Sequence, residues 1–272
     1  MQQVREPAVA GMFYPANEQK LRTQLELLFD VSSGAERVKN AFGVIVPHAG
    51  YIYSGKTAAY GFSTVKDNSY DTIVVISPSH REYFSGISIY NGDAYKTPLG
   101  LIPVNKDMRS KLCSSSEMIF EGMEGHGNEH ALEVELPFLQ YMYKDFSLVP
   151  IVIGDQRKIF VDELAESLSE TVDEKTLIVA SSDLSHFYTK EQADELDSKV
   201  AKRIENFEYE QLQDDLENET CFACGGGGIV SLMTAARQKG FNKTKIVHRS
   251  DSGDTSGDNR EVVGYLSAVV YG

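Results

Sequence analysis

Three segments of the chain finish an apolar, β-branched run on a histidine or a carboxylate. GVIVPHAG puts His48 just past one run, TIVVISPSH puts His80 just past a second, and TLIVASSDLSHF puts Asp183 and His186 just past a third. If these runs are parallel strands of one open α/β sheet, their carboxyl ends share a rim where side chains from different strands converge. Either His48 or His80 could simply cap the helix that follows it. That account leaves unexplained an imidazole where Ser or Asp caps better. Imidazole is the commonest metal ligand, and two on neighbouring strand ends make half of a tetrahedral or facial site. A metal pair is therefore expected. Asp183 and His186 are spaced to meet across one turn, where a carboxylate orients an imidazole and raises its basicity. His186 is then expected to take or give a proton beside the metal.

A third ligand is sought in ETCFACGGGGI. Cys221 and Cys224 have CxxC spacing, but no second such pair accompanies them, which argues against a closed structural zinc site. A thioredoxin-like motif would open the first helix of its domain, and this one lies late in the chain. The four glycines Gly225 to Gly228 lack the GxxxxGK[ST] pattern of a phosphate loop. What remains is Cys224 at the start of a helix, where the dipole favours thiolate, the metal-binding form. In HGNEHALEVELPF, the glycines and Asn128 delay the helix to about Glu129. His126 then falls in a loop, and His130 either lines the site or is a plain first-turn residue. Tyr51, Tyr53 and Tyr188 stand in or near these loops, lining a pocket for an aromatic or small substrate or packing locally. His248 ends a late strand without an assigned role.

The elements that must position these groups alternate along the chain. Strands are expected at 42–46, 72–77, 86–89, 147–153, 176–180, 243–248 and 262–270, the nearly all-apolar ones being central and covered on both faces. Between them, Leu21, Leu25, Leu28 and Phe29 mark one apolar helix face. Ile159, Phe160, Leu164 and Leu168 mark another, and Leu196, Val200 and Ile204 a third. Asn17, Ser54, Asn105 and Thr189 stand where N-caps are expected. The pattern is α/β, a three-layer sandwich around a mostly parallel or mixed sheet, read as a single domain over 1–272. The loop RSDSGDTSGDN at 249–259 reads as a solvated turn, since it lacks the Glu that an acidic Ca²⁺ loop requires.

With 272 residues and 42% apolar side chains, the chain has enough material for one packed core. Its net charge of −14 repels nucleic-acid phosphates and anionic lipid, so neither partner is expected. Three cysteines suit a reducing compartment. No apolar run approaches the ~20 residues of a membrane span, and no secretory signal is visible at the start. A cytoplasmic location is expected.

GMFYP at 11–15, VPHAGYIYSG at 46–55, SPSH at 77–80, TPLG at 97–100, EHALEVELPFLQ at 129–140, SSDLSHF at 181–187, CGGGGI at 224–229 and the closing VVGYLSAV together resemble the Memo-like family. The resemblance implies a fold similar to the class III extradiol dioxygenases, which are non-haem iron enzymes. It also implies a pocket of His48, His80 and Cys224, with Asp183 and His186 beside it and His186 resembling the acid/base histidine of those enzymes. Prokaryotic members are grouped with a radical-SAM protein and an AMMECR-type protein, the partners that the resemblance implies. Two departures matter. A thiolate replaces the carboxylate of the extradiol site, which favours Cu(I), Zn or thiolate-tolerant iron and offers oxygen an oxidisable ligand. Ring cleavage is therefore not expected. Gly228 stands where many members have Pro, so the Cys224 loop loses more entropy on ordering. The leading expectation is a metal-dependent oxidoreductase-like protein holding iron or copper, with zinc as the redox-inert option. The others are a non-catalytic peptide or phosphopeptide module and a scaffold of the radical-SAM pathway.

Overall fold

The computed structural model describes residues 3–272. Strand β1 (Val4–Arg5) and helix α1 (Glu18–Val31) lead into β2 (Ala41–Val46), α2 (Tyr51–Val65) and β3 (Thr72–Pro78). β4 (Ile87–Tyr90), β5 (Ala94–Thr97), β6 (Gly100–Pro103), α3 (Lys106–Ser115) and β7 (Ile119–Gly122) follow. A 3₁₀ turn (Glu133–Glu135) precedes α4 (Leu136–Met142), then β8 (Ser147–Ile153), α5 (Lys158–Thr171), β9 (Thr176–Ser181) and β10 (His186–Tyr188). α6 (Lys190–Glu205), α7 (Tyr209–Glu217), α8 (Gly226–Gln238), β11 (Lys243–Asp251), α9 (Gly253–Ser256) and β12 (Val262–Tyr271) complete the order.

The main sheet runs β10-β12-β2-β9-β3-β8-β4-β7, with β11 also paired to β12. Its centre, β2-β9-β3-β8, is parallel throughout, and β12 and β4 flank it antiparallel. Parallel strands need crossover helices on the faces, and these strands alternate accordingly. Ile73 and Val75 belong to the core under α1, α2 and α4, whereas Val74 and Ile76 belong to the core under α5, α6 and α8. Each fully buried aliphatic side chain contributes about 1.5–3 kcal/mol, so the side-chain period of two holds the three layers in register. The α/β three-layer architecture is as expected. A small sheet, β1-β5-β6, lies outside it and was not legible in the sequence.

Asn17, Asn105 and Thr189 act as N-caps, and Thr189 with Gln192 closes a capping box. Ser54 does not. It lies inside α2, its hydroxyl donating back to the Ala49 carbonyl at 2.9 Å, and Gly50 takes the cap position. Ile159 is 53% exposed, and Val161 takes the place expected for it on the buried face of α5. The acidic loop is shorter than expected, since β11 continues to Asp251 and α9 follows, with Lys190 Nζ between Asp251 (2.5 Å) and Asp254 (2.8 Å). Among the described residues no helix is long and apolar enough to cross a membrane.

Candidate metal centre

The parallel centre aims β2, β9 and β3 at one rim, and β9 lies between the other two. Two residues past β2 and β3 come His48 and His80, whose ring centroids are 5.2 Å apart. Cys224 reaches the same place from the loop before α8, with Sγ 3.1 Å from His48 Nε2. One donor atom from each of the three lies within 4.8 Å of the others. Two imidazole nitrogens and a sulfur form a donor set for iron, copper or zinc, whose ligand bonds of about 2.0–2.3 Å span a comparable spread.

Neighbouring groups decide which nitrogen each ring presents. Ser181 Oγ directs its one hydrogen to the Ala131 carbonyl (2.7 Å) or to Glu135 Oε1 (2.9 Å), so at its 2.8 Å contact with His48 Nδ1 the ring must donate. Nε2 is then the lone-pair nitrogen, and it is the one facing Cys224. Burial pushes this Glu135 carboxyl well above the usual carboxylate range, against the opposing effect of the Ser181 hydrogen bond.

His80 is fixed by Glu129, whose Oε2 accepts the His80 amide at 2.5 Å and whose Oε1 meets His80 Nδ1 at 2.9 Å. Oε1 also accepts the amides of His130 (2.9 Å) and Ala131 (3.0 Å). Burial raises the Glu129 carboxyl, but its contacts with the His130 and His80 rings and the His80 amide more than reverse this and hold it well below its ordinary value. His80, Glu129 and His130 form a second, overlapping donor group. The hydrogen bonds already taken by Glu129 suit it better to orienting His80 than to ligation, the carboxylate–imidazole–metal pattern.

His130 joins the histidine cluster, its ring centroid 4.8 Å from that of His80 and 5.4 Å from that of His48. Its Nδ1 lies 3.1 Å from Glu129 Oε1 yet forms no hydrogen bond, an orphaned buried nitrogen beside the donor group. That orphan and the soft donor set fit a bound transition ion. The helix expected at Glu129 begins later, at the 3₁₀ turn and α4, so His130 sits in the preceding loop and is free to face the rim.

The expected pairing of Asp183 with His186 is not made. Asp183 Oδ1 accepts the His48 amide at 2.8 Å, and burial pushes its carboxyl up to about 7. The Asp183 amide instead points at Cys224 Sγ, 3.3 Å away. His186 lies on β10, where its charge reaches His48, and burial lowers its pKa against the opposing pull of the Leu184 carbonyl. Phe187 beside it is 72% exposed and left-handed at φ 64°, a rare state for a bulky residue that breaks the β10 register. Burial pushes the Cys224 thiol well above the ordinary range, with Asp183 adding to the shift. At the start of α8 the Gly225 amide does lower it, as expected at a helix start, but these other effects outweigh it.

Tyr51 is buried, its hydroxyl donating to the Val134 carbonyl at 2.7 Å and its ring packed on Phe138, so it is a core residue. Tyr53 faces a separate cleft with Lys56, His248 and Asp254, away from the three donors. Tyr188 stacks on Phe222 with centroids 5.9 Å apart. His126 is bonded to Tyr95 and to the Ser88 carbonyl, and burial pushes its pKa down to about 3. His248 stacks on Tyr60, and Cys221 is buried in the core.

The Cys224 loop passes close to β9. A Cβ added at Gly225 would lie 2.2 Å from the Ser181 carbonyl oxygen, so the backbones approach too closely for any side chain. Gly225→Ala is expected to push Cys224 off the rim. Metal content measured by mass spectrometry should fall to that of Cys224→Ser, and wild-type content in this variant would refute the close approach.

A family model described as "Memo-like protein" matches residues 5–269. A MEMO1 family protein of Thermoplasma volcanium is 36% identical over 267 residues, covering 98% of each chain. One from Methanosarcina mazei is 38% identical over 274 residues, covering 98% of this chain and 99% of that one. A solved structure of an uncharacterized protein from Escherichia coli K12 shares the fold, with a TM-score of 0.59 at 16% identity over 84% of this chain and 98% of that one. Since the family model and the relatives both match from near one end to near the other, the chain belongs to the Memo-like family.

Proposed function

We propose that the chain binds one redox-active transition ion, iron or copper, through His48 Nε2, His80 Nε2 and Cys224 Sγ, and acts as an oxidoreductase-like protein on a small molecule. The observation that carries this is the meeting of three donors from three distant segments within 4.8 Å. The ion would supply Lewis acidity and one-electron chemistry. Everything else falls to the chain. Ser181 and Glu129 hold the two imidazoles in their ligating tautomers. Asp183, through the His48 amide, fixes the turn after β2. His130 and His186 are the imidazoles left free to hold or move a proton beside a bound substrate, and burial keeps His186 neutral, the form that accepts a proton. The soft thiolate favours copper or thiolate-tolerant iron over the sites that cleave catechol rings.

The test is anaerobic purification without a histidine tag, metal analysis, and a turnover screen against small reductants under oxygen. About one iron or copper per chain and turnover lost in His186→Ala are expected. Zinc in its place rejects the redox part. Absence of metal together with tight phosphopeptide binding rejects the reading in favour of a binding module.

A further inference from the structure

The Cys224 ligand sits on a loop that its own sequence does little to hold. The N-cap of α8 is Gly225, which has no side chain to cap with, and Gly226 to Gly228 form the first turn. A run of glycines loses more conformational entropy on ordering than any other sequence. What replaces the missing cap comes from another strand. Gln156 lies just past β8, the fourth strand of the parallel centre, and its carboxamide makes two bonds to this loop. Nε2 donates to the Cys224 carbonyl at 2.7 Å, and Oε1 accepts the Gly227 amide at 2.7 Å. Gln213 of α7 steadies Gln156 in turn, donating from Nε2 to its carbonyl at 3.1 Å and to Glu217 Oε1 at 3.0 Å.

We propose that Gln156 is a positioning residue for the Cys224 sulfur, a cap supplied in trans that spans from the ligand residue to the first turn of α8. On the other side the loop is held by the segment just past β9, through the Cys224 amide on the Asp183 carbonyl (3.1 Å) and the Gly225 amide on Ser182 Oγ (2.9 Å). Gln156 is therefore the hold that a single side-chain change removes without touching the rim. Only a carboxamide fits, because one contact needs a donor and the other an acceptor. A carboxylate keeps the acceptor and sets a second oxygen against the Cys224 carbonyl.

The metal readout rests on the function proposed above, so the test carries a second readout that does not. Gln156→Ala and Gln156→Glu are compared with wild type in the full chain. Cobalt(II) is titrated while its thiolate charge-transfer band is followed, and per-cysteine alkylation by iodoacetamide is read by peptide mass spectrometry. Cobalt affinity is expected to fall by roughly 10- to 100-fold, as for outer partners of other metal sites, with Gln156→Glu the worse of the two. The thiolate band should weaken while binding to the histidines persists. Metal-free Cys224 should alkylate at least about tenfold faster, with Cys113 unchanged as the folding control. Gln156→Asn, which keeps both groups on a shorter arm, should recover part of each effect. Wild-type affinity, band and alkylation in both variants would overturn the proposal. If the wild-type chain itself binds no cobalt, the metal reading fails and Cys224 alkylation alone decides the brace.

Discussion

If the proposed centre holds a transition ion, replacing His48 by Ala or Cys224 by Ser is expected to leave the anaerobically purified chain without it. Each variant removes a ligand, and the remaining two donors of the group cannot match a three-donor site. Loss of an outer hydrogen-bond partner alone costs roughly 10- to 100-fold in metal affinity, and loss of a ligand must exceed that. The two variants should differ in kind. His48→Ala opens a cavity beside Ser181, which keeps its bond to the Ala131 carbonyl. Cys224→Ser keeps the shape and exchanges a soft sulfur for a hard oxygen, so copper(I) should suffer more than zinc. Asp183→Asn, which still accepts the His48 amide, should retain metal. Competitive titration with a chromophoric chelator measures all three. Full metal content in either ligand variant would remove His48 or Cys224 from the centre.

The convergence of His48 and His80 was legible because apolar runs end on imidazole and parallel strands end at one rim, whereas Cys224 lies before a helix and is reached by elimination and by the family resemblance. The groups that orient those ligands were not. Ser181 reads as the residue just past a strand, Glu135 as part of a helix, and Gln156 as loop. Serine, glutamate and glutamine are ordinary surface residues, and nothing local marks one that will be buried against a ligand. Their signal exists only in the pairing of β9 with β2 and β3 and in the seating of the 3₁₀ turn against them. The misreadings share a cause. Tyr51 stands three residues after His48, a spacing that groups it with the rim, but α2 starts at that residue and turns its ring into the core. Asp183 and His186 are close in sequence, yet the chain between them enters β10 and leaves Asp183 against the His48 amide.

The N-terminal segment was equally opaque to sequence reading and carries the largest expected effect on stability. Arg5 and Glu133 form an ion pair with side chains only 4% and 0% exposed. Glu133 also accepts the Ala8 amide (2.7 Å), the Val9 amide (3.0 Å) and the Tyr14 hydroxyl (2.5 Å), while Arg5 donates to the carbonyls of His126 (3.0 Å), Gly127 (3.1 Å) and Glu129 (2.5 Å). One ion pair thus clamps residues 5–14 to the segment that holds Glu129 and His130. Phe13 lies on the clamped 5–14 segment, its ring 4.7 Å from His130 and its carbonyl accepting the Tyr51 amide at the start of α2. Arg5→Met removes the cation and leaves a buried carboxylate without its counter-charge, a change that costs about 3–5 kcal/mol. Arg5→Met/Glu133→Gln restores neutrality, and its one side-chain oxygen still accepts the Val9 amide and the Tyr14 hydroxyl, at the loss of the Ala8 contact. The double variant should therefore be more stable than Arg5→Met alone, a non-additivity that urea unfolding midpoints at constant m-value will show. Because Arg5 also ties down the Glu129 carbonyl, Arg5→Met should weaken metal binding through His80 even in conditions where the chain stays folded. Equal stability of Arg5→Met and the double variant would overturn the ionic reading, and the clamp would then be hydrogen-bonded rather than ionic.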